Sequence, residues 1–160
     1  MLQPWGDNLK RLKKQLLNLA IGELAALVTF IFVYRLFDFG KASLLAFSYL
    51  IFILLQGSLY WFYRYMLIVI KRKVDSKITN LLKFVRILNI ILLIVIGMTV
   101  PIVRSGIKDL TIALGIFSFG VIEYINYYWY RLSYGRSGFN IKSLFNTKLK
   151  KSSIHKLITK

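Results

Sequence analysis

Cysteine is absent from the 160-residue chain, and histidine occurs once, at position 155. Without cysteine the protein has no disulfide framework, no thiolate zinc site and no cysteine nucleophile. A multi-histidine metal site is excluded in the same way. The sequence also contains no Walker loop, no His-Glu zinc-binding helix and no Gly-x-Ser-x-Gly elbow. It therefore predicts neither an enzyme nor a protein that binds a metal or a cofactor.

Acidic residues are scarce as well, since six Asp and Glu stand against 23 Lys and Arg, for a net charge of +17. In a soluble protein such an excess would suggest nucleic acid as the partner. Here 57% of the residues are apolar and the mean hydropathy is +0.60, which excludes a disordered chain. No nucleic-acid-binding motif is present, so we expect a lipid bilayer and no nucleic acid as partner.

Four apolar stretches are each long enough to cross a bilayer as a helix. Backbone groups in lipid must be hydrogen-bonded within their own segment, which favours helices over strands. The predicted fold is therefore an all-α integral membrane protein, a four-helix bundle of two antiparallel hairpins. The spans are predicted at residues 16–37, 42–66, 82–103 and 110–131.

Lys and Arg are distributed unevenly between the two sides of this topology. Nineteen of them precede the first span, surround the connection between the second and third spans, or follow the fourth. The other side holds only Arg35, Lys41, Arg104 and Lys108. The positive-inside rule then places both termini in the cytoplasm. The aromatic residues agree, because eight of the ten tyrosines and all three tryptophans fall near the predicted cytoplasmic boundary.

The sequence divides into a cytoplasmic lead-in at residues 1–15, a transmembrane domain at 16–134 and a basic cytoplasmic tail at 135–160. Leucine and isoleucine recur at helical spacing among the lysines of both ends, which predicts amphipathic helices on an anionic leaflet. The alternative for the tail is a flexible, solvated extension that only enforces topology. The basic residues expected to contact anionic lipids are Lys10, Arg11, Lys13, Lys14, Lys71, Arg72, Lys73, Lys148, Lys150 and Lys151.

Polar residues inside the spans form one predicted layer near the cytoplasmic side. Two acids and two arginines lie there at similar depth, and we expect Glu123 to pair with Arg64 or Arg86, within the chain or across an oligomer interface. The layer serves either to hold the helices together or to bind a proton, an ion or a ligand. Its members are Glu23, Gln56, Tyr60, Arg64, Arg86, Asn89, Glu123, Asn126 and Tyr127.

Small residues and one proline mark places where the spans are expected to approach or to end. Gly22 and Ala26 in the first span, and Gly115 and Gly120 in the fourth, permit close helix packing. Pro101 near the end of the third span predicts either the end of that helix or a kink.

The fourth span ends in Glu123–Tyr127 (EYINY), and Arg131–Tyr134 (RLSY) follow it. With the four-span layout, this ending resembles that of small, largely uncharacterised four-span membrane proteins of low-GC Gram-positive bacteria. The resemblance implies a multi-pass protein of the bacterial plasma membrane, and it implies no activity. Small proteins of this architecture also occur beside bacteriocin exporters and immunity genes, which is an analogy of architecture alone.

Two functions remain open from the sequence. The first is a non-catalytic accessory subunit of a membrane complex, of the immunity or export type, acting as a homo- or hetero-oligomer with other membrane proteins. It is favoured by the lack of catalytic groups, the minimal outer loops and the basic inner face. The alternative is a self-assembling oligomeric channel or small transporter that uses the intramembrane Glu and Arg residues.

Overall fold

The computed structural model describes residues 4–36, 39–130 and 150–159, and every regular element within these ranges is an α-helix. The helices are α1 (Pro4–Leu36), α2 (Lys41–Ile70), α3 (Ser76–Val103), α4 (Ile107–Tyr128) and α5 (Ser153–Ile158). The first four are long and apolar enough to cross a membrane. The prediction of an all-α protein with four candidate membrane spans is therefore confirmed, whereas the bundle topology and the orientation of the termini stay predictions. Lys148 and the RLSY segment lie outside the described residues.

The first three helices extend beyond the predicted hydrophobic spans. α1 begins at Pro4, so the basic lead-in continues into the first span without a break. α2 continues to Ile70, and α3 begins at Ser76. Lys, Arg, Gln and Leu are good helix formers, which is why these helices do not stop where the apolar stretch stops.

The connection between α2 and α3 has well-defined ends. Lys71 has a φ of 58°, in the left-handed region, and the Arg72 N–H donates to the Leu67 carbonyl at 3.0 Å. This is the Schellman arrangement that usually ends a helix with glycine. α3 then starts at an N-cap, since the Asp75 carboxylate accepts a hydrogen bond from the Lys77 N–H at 3.0 Å.

The chain forms two compact units, and α2 contributes to both. The α1 unit comprises Met1–Asp38 and Ile51–Val74, and the α4 unit comprises Phe39–Leu50 and Asp75–Lys160.

In the α1 unit, one face of α1 is buried. Leu16, Ala20 and Leu27 lie on this face at helical spacing. The buried Ser58 hydroxyl of α2 donates a hydrogen bond to the Ala20 carbonyl at 3.2 Å. A side chain reaches the backbone of a neighbouring helix in this way only where a small residue lets the two helices approach, as Ala20 does here.

In the α4 unit, α3 and α4 pack against each other, and the short α5 packs against both. Gly97 of α3 faces the Phe117 ring of α4, and a Cβ at Gly97 would lie 3.4 Å from that ring. Pro101 lies inside α3, two residues before its end at Val103. Its position agrees with the expected helix end.

The small residues of the spans play different parts. A Cβ on Gly120 would lie 2.9 Å from the Tyr49 ring, so the close packing expected at this glycine is confirmed. In the part of the chain that the structure describes, nothing lies within 4 Å of such a Cβ at Gly22 or Gly115, so the expected close packing is not formed there by the described helices. Ala26, one turn after Gly22, is half-buried.

Candidate functional site

The predicted polar layer is divided between the two units. The α1 unit holds Glu23, Gln56, Tyr60 and Arg64, and the α4 unit holds Arg86, Asn89, Glu123, Asn126 and Tyr127. Whether these nine residues form one functional layer stays a prediction, and the contacts within each unit can be described separately.

In the α4 unit, Glu123 is bonded within its own helix. The Asn126 side-chain amide donates to the Glu123 carboxylate at 3.3 Å, and the Tyr127 side chain also hydrogen-bonds to it. These donors lie three and four residues after Glu123, the spacing that places side chains on one helix face. The half-buried carboxylate therefore has two polar neighbours that do not depend on another helix.

Arg86 has an aromatic neighbour rather than a carboxylate. Its guanidinium carbon lies 4.5 Å from the centroid of the Trp129 ring, a cation–π arrangement. Among the described residues no ion pair joins Arg86 to Glu123 within the chain, and each side chain has a nearer neighbour of its own. Pairing of Glu123 with Arg64, or with either arginine across an oligomer interface, stays a prediction.

Asn89 is fully buried, with 0% of its surface exposed. Its side-chain amide donates to the Val85 carbonyl one turn earlier, at 2.8 Å. A buried amide in a membrane span needs such a partner, because lipid offers none. At least one hydrogen bond of the Asn89 side chain is therefore made within α3.

In the α1 unit, the polar residues lie beside the buried helix face. Glu23 is half-buried and shares the α1 face of Ala20 and Leu27. On α2, Tyr60 is buried and its ring meets the Trp61 ring edge-on, with the centroids 5.1 Å apart. Arg64, one turn further, is half-buried.

The sequence analysis missed a capping residue that joins α4 to α2. Asp109, in the first turn of α4, is only 8% exposed. Its carboxylate accepts hydrogen bonds from the Ser43 N–H at 3.0 Å, the Ala42 N–H at 3.2 Å and the Ser105 N–H at 2.9 Å. The Ser43 hydroxyl donates a fourth at 2.6 Å. We call this arrangement the Asp109 cap.

The Asp109 cap supplies acceptors to the start of α2. The first N–H groups of a helix have no partner inside the helix, and its N-terminus carries partial positive charge. The Asp109 carboxylate, which belongs to α4, supplies both the hydrogen-bond acceptor and the negative charge. Gly40 has no side chain and therefore leaves space for this carboxylate. A Cβ at Gly40 would collide with the Asp109 carboxylate.

A tyrosine cluster was also missed, at the contact of α2 with α4. Tyr49 is 2% exposed and packs on Gly120. Tyr124 and Tyr128 lie close enough to interact electrostatically with Tyr49, and their own rings stack with centroids 5.3 Å apart. Within the described part of the chain, the buried Tyr49 hydroxyl has no hydrogen-bond partner.

The end of the chain packs on the end of α4. The Ser152 N–H donates to the Trp129 carbonyl at 3.0 Å, and Ile154 and Ile158 of α5 are buried. His155 Nδ1 lies 3.3 Å from the Tyr128 carbonyl oxygen. Because a carbonyl oxygen only accepts, the imidazole donates from Nδ1. The apolar face of α5 thus contacts protein, which differs from the expected amphipathic helix lying on the leaflet.

The basic residues expected to contact anionic lipids are mostly on the surface. Lys13 is half-buried, and Lys148 lies outside the described residues. The exposed ones are Lys10, Arg11, Lys14, Lys71, Arg72, Lys73, Lys150 and Lys151. Their exposure permits lipid contact, and the contact itself stays a prediction.

Sequence reasoning could have found these missed residues only in part. Asp109 is a carboxylate at the start of a predicted span, a position that favours capping, but the sequence does not say which helix it caps.

Among residues 8–36, 39–130 and 150–159, no three His, Asp or Glu side chains are grouped to hold a metal ion.

Comparison with known proteins gives no relative for this chain. No family model, no curated protein and no solved structure matches it.

Proposed function

We propose that the chain is a non-catalytic, multi-pass membrane protein that acts as an accessory subunit of a membrane complex, of the immunity or export type. The proposal rests on the contacts that two charged side chains, Glu123 of α4 and Arg86 of α3, make with neighbouring residues. Glu123 is hydrogen-bonded within its own helix, and Arg86 stacks on Trp129. Charges that move ions or protons must be open to them. Charges held by structural neighbours favour a protein that works through contacts.

The surface of α3 supports a role in contacts within the membrane. One side of this helix is apolar from Phe84 onward, and Met98 and Ile102 are 68% and 79% exposed. Phe84 and Ile91 continue the same exposed surface. In a bilayer such a surface packs against lipid or against a partner helix.

In the proposed arrangement the protein lies in the bacterial plasma membrane with both termini in the cytoplasm. The connection between α3 and α4, residues 104–106, is too short to form a binding domain on the opposite side. Partners would therefore meet the protein within the bilayer or at its basic cytoplasmic side, where anionic lipids and acidic segments are attracted.

Recovery of the tagged protein from native membranes in a mild detergent, followed by size measurement and identification of what co-purifies, tests this proposal. We expect a complex larger than the chain's own oligomer, containing a second membrane protein. A variant with Met98→Ala and Ile91→Ala on the exposed face of α3 should lose that protein. Leu24→Ala and Val28→Ala, on the exposed side of α1, serve as the matched control.

Self-association without another protein would contradict the proposal. If the purified protein also carries ion flux in liposomes, and Glu123→Gln abolishes that flux, the protein is an oligomeric channel or transporter instead.

A further inference from the structure

We infer that the α4 unit binds a buried water molecule between the Tyr49 hydroxyl of α2 and the Tyr124 hydroxyl of α4. Both helices are long and apolar enough to cross a membrane, and lipid offers a hydroxyl group no hydrogen-bond partner. Water is the ligand that suits two phenols, because a single water molecule can accept a hydrogen bond from one hydroxyl and donate to the other.

The Tyr49 hydroxyl needs a partner that the described side chains do not supply. Tyr49 is 2% exposed, and its ring packs on Gly120 of α4. Within the described ranges no group forms a hydrogen bond to this buried hydroxyl. A buried polar group left unpaired costs free energy, and such groups are normally bonded to protein or to ordered water. The Tyr49 hydroxyl therefore points to a bound polar molecule.

The Tyr124 hydroxyl lies near Tyr49 and has a hydrogen to donate. Tyr124 is 6% exposed and follows Gly120 by one turn, so it shares the α4 face on which the Tyr49 ring packs. Its oxygen accepts a hydrogen bond from the Trp129 indole N–H at 3.4 Å, which leaves its own O–H for another acceptor. The two tyrosines interact electrostatically without a direct hydrogen bond between their hydroxyls. Polar groups at such a separation are commonly bridged by water.

Tyr128 gives the water site a third polar neighbour. Its ring stacks on that of Tyr124, with the centroids 5.3 Å apart, and it also interacts electrostatically with Tyr49. A buried water makes about three hydrogen bonds, which is the number of phenols in this cluster. The bound water thereby continues the hydrogen bond from Trp129 to Tyr124 across to α2. It also accounts for tyrosine rather than phenylalanine where ring packing alone would join the helices.

Hydroxyl-radical footprinting with X-ray pulses detects such a water, because the pulse produces radicals from bound water as well as from bulk water. The purified full chain is irradiated in nanodiscs with a membrane-impermeant radical scavenger in the solvent, and modified side chains are located by mass spectrometry. We expect Tyr49 to be modified faster than Phe47 of the same helix, relative to their intrinsic reactivities, although Phe47 is 9% exposed and Tyr49 only 2%. The scavenger should protect Tyr130, which is 38% exposed, and should not protect Tyr49.

Two variants then test which hydroxyl holds the water. Tyr124→Phe keeps the stacked ring and removes the hydroxyl, so the modification rate of Tyr49 should fall severalfold. The matched control is Tyr127→Phe on the same helix, which removes a hydroxyl that bonds to Glu123. This control should leave the modification rate of Tyr49 unchanged.

The water site is ruled out if Tyr49 is modified no faster than Phe47, or if the scavenger protects Tyr49 as fully as it protects Tyr130. Both comparisons use the unaltered protein and stand even where a variant does not fold. Equal loss of Tyr49 modification in Tyr124→Phe and Tyr127→Phe would likewise overturn the assignment of the water to Tyr124. The partner experiment above is unaffected by any of these results.

Discussion

Asp109 and Ser43 are 66 residues apart in the sequence, and the Ser43 hydroxyl lies 2.6 Å from the Asp109 carboxylate. Ser43 is completely buried at this contact. The pair joins the first turn of α4 to the first turn of α2, where unpaired N–H groups need an acceptor. The two helix starts are thereby fixed at the same level of the α4 unit.

The Asp109 cap should contribute measurably to stability. Asp109→Ala leaves the N–H groups of Ala42, Ser43 and Ser105 without this acceptor, and hydrogen bonds to charged groups are worth about 1.5–3 kcal/mol each. Since water reaches part of a helix end, we expect a total loss of about 2–4 kcal/mol in the free energy of unfolding. Reversible unfolding by SDS in mixed micelles measures this quantity.

The matched control for that substitution is Asp75→Ala. Asp75 also caps a helix, but it is exposed and accepts one backbone N–H, that of Lys77. The loss should be about 1 kcal/mol or less. An Asp109 effect no larger than the Asp75 effect would show that the Asp109 cap is not a stabilising contact between the helices.

Gly40 should tolerate no side chain while the Asp109 cap is formed. Gly40→Ala places a methyl group on the Asp109 carboxylate, so the cap must move or break, and we expect destabilisation of about 1–3 kcal/mol. In the Asp109→Ala background the same substitution should be nearly neutral, because the colliding group is gone. Unfolding of the four proteins of this double-mutant cycle gives the coupling directly. Equal effects of Gly40→Ala in both backgrounds would contradict the collision.

The class of fold could be predicted from the sequence, and the contacts between helices could not. Apolar stretches of membrane-spanning length specify helices without reference to a partner. The partner of Asp109 depends on which helix start lies beside it, and no pattern within residues 107–128 contains that information. The same holds for Arg86, whose charge suggested a carboxylate, although an aromatic ring at the helix end is its neighbour.

Helix boundaries were also only partly predictable. Hydropathy gives the part of a helix that lies in lipid, while the helix continues as long as its residues favour it. This is why α1 begins at Pro4 and not near residue 16. Glycine in a span predicted close helix packing, and the contact of Gly120 with Tyr49 agrees with that prediction. Gly22 and Gly115 led to the same prediction, but no described residue packs on them in this way.

Gly120→Ala tests the contact between α2 and α4. The added Cβ would lie 2.9 Å from the Tyr49 ring, and the ring is held in a buried site, so we expect a loss of about 1–3 kcal/mol. Gly115→Ala on the same helix has open space and should be stabilising by about 0.5–1 kcal/mol, the helix-propensity gain of alanine over glycine. Unfolding in mixed micelles distinguishes the two. If both substitutions stabilise the protein, Gly120 does not pack closely on the Tyr49 ring.

Lys71→Gly should stabilise the end of α2. Lys71 has a φ of 58°, which L-residues adopt at a cost and glycine adopts freely. The gain should be about 1 kcal/mol, with the Arg72-to-Leu67 hydrogen bond retained. Lys73→Gly, two residues further along the connection, removes the same charge without a left-handed backbone to relieve, and it should give no gain. Comparison of the two unfolding transitions tests this, and equal effects would rule out relief of backbone strain.

Glu123 and Arg86 should contribute to stability independently of one another. Glu123→Gln replaces a carboxylate oxygen by an amide opposite the donors of Asn126 and Tyr127, and Arg86→Gln removes the cation from the Trp129 ring. A cation–π contact is worth about 0.5–2 kcal/mol, and we expect each substitution to lower the free energy of unfolding by an amount of this size. If the two residues formed an ion pair, removing one partner would leave the other charge stranded, at about 3–5 kcal/mol.

The double-mutant cycle separates these cases, because residues with separate partners have additive effects within about 0.5 kcal/mol. We therefore expect the double variant to lose the sum of the two single losses. The measurement is made on purified protein in mixed micelles and repeated after crosslinking of any oligomer, so that a pairing across an interface would also be detected. A coupling of several kcal/mol in either state would establish the Glu123–Arg86 ion pair that the contacts of Asn126 and Trp129 argue against.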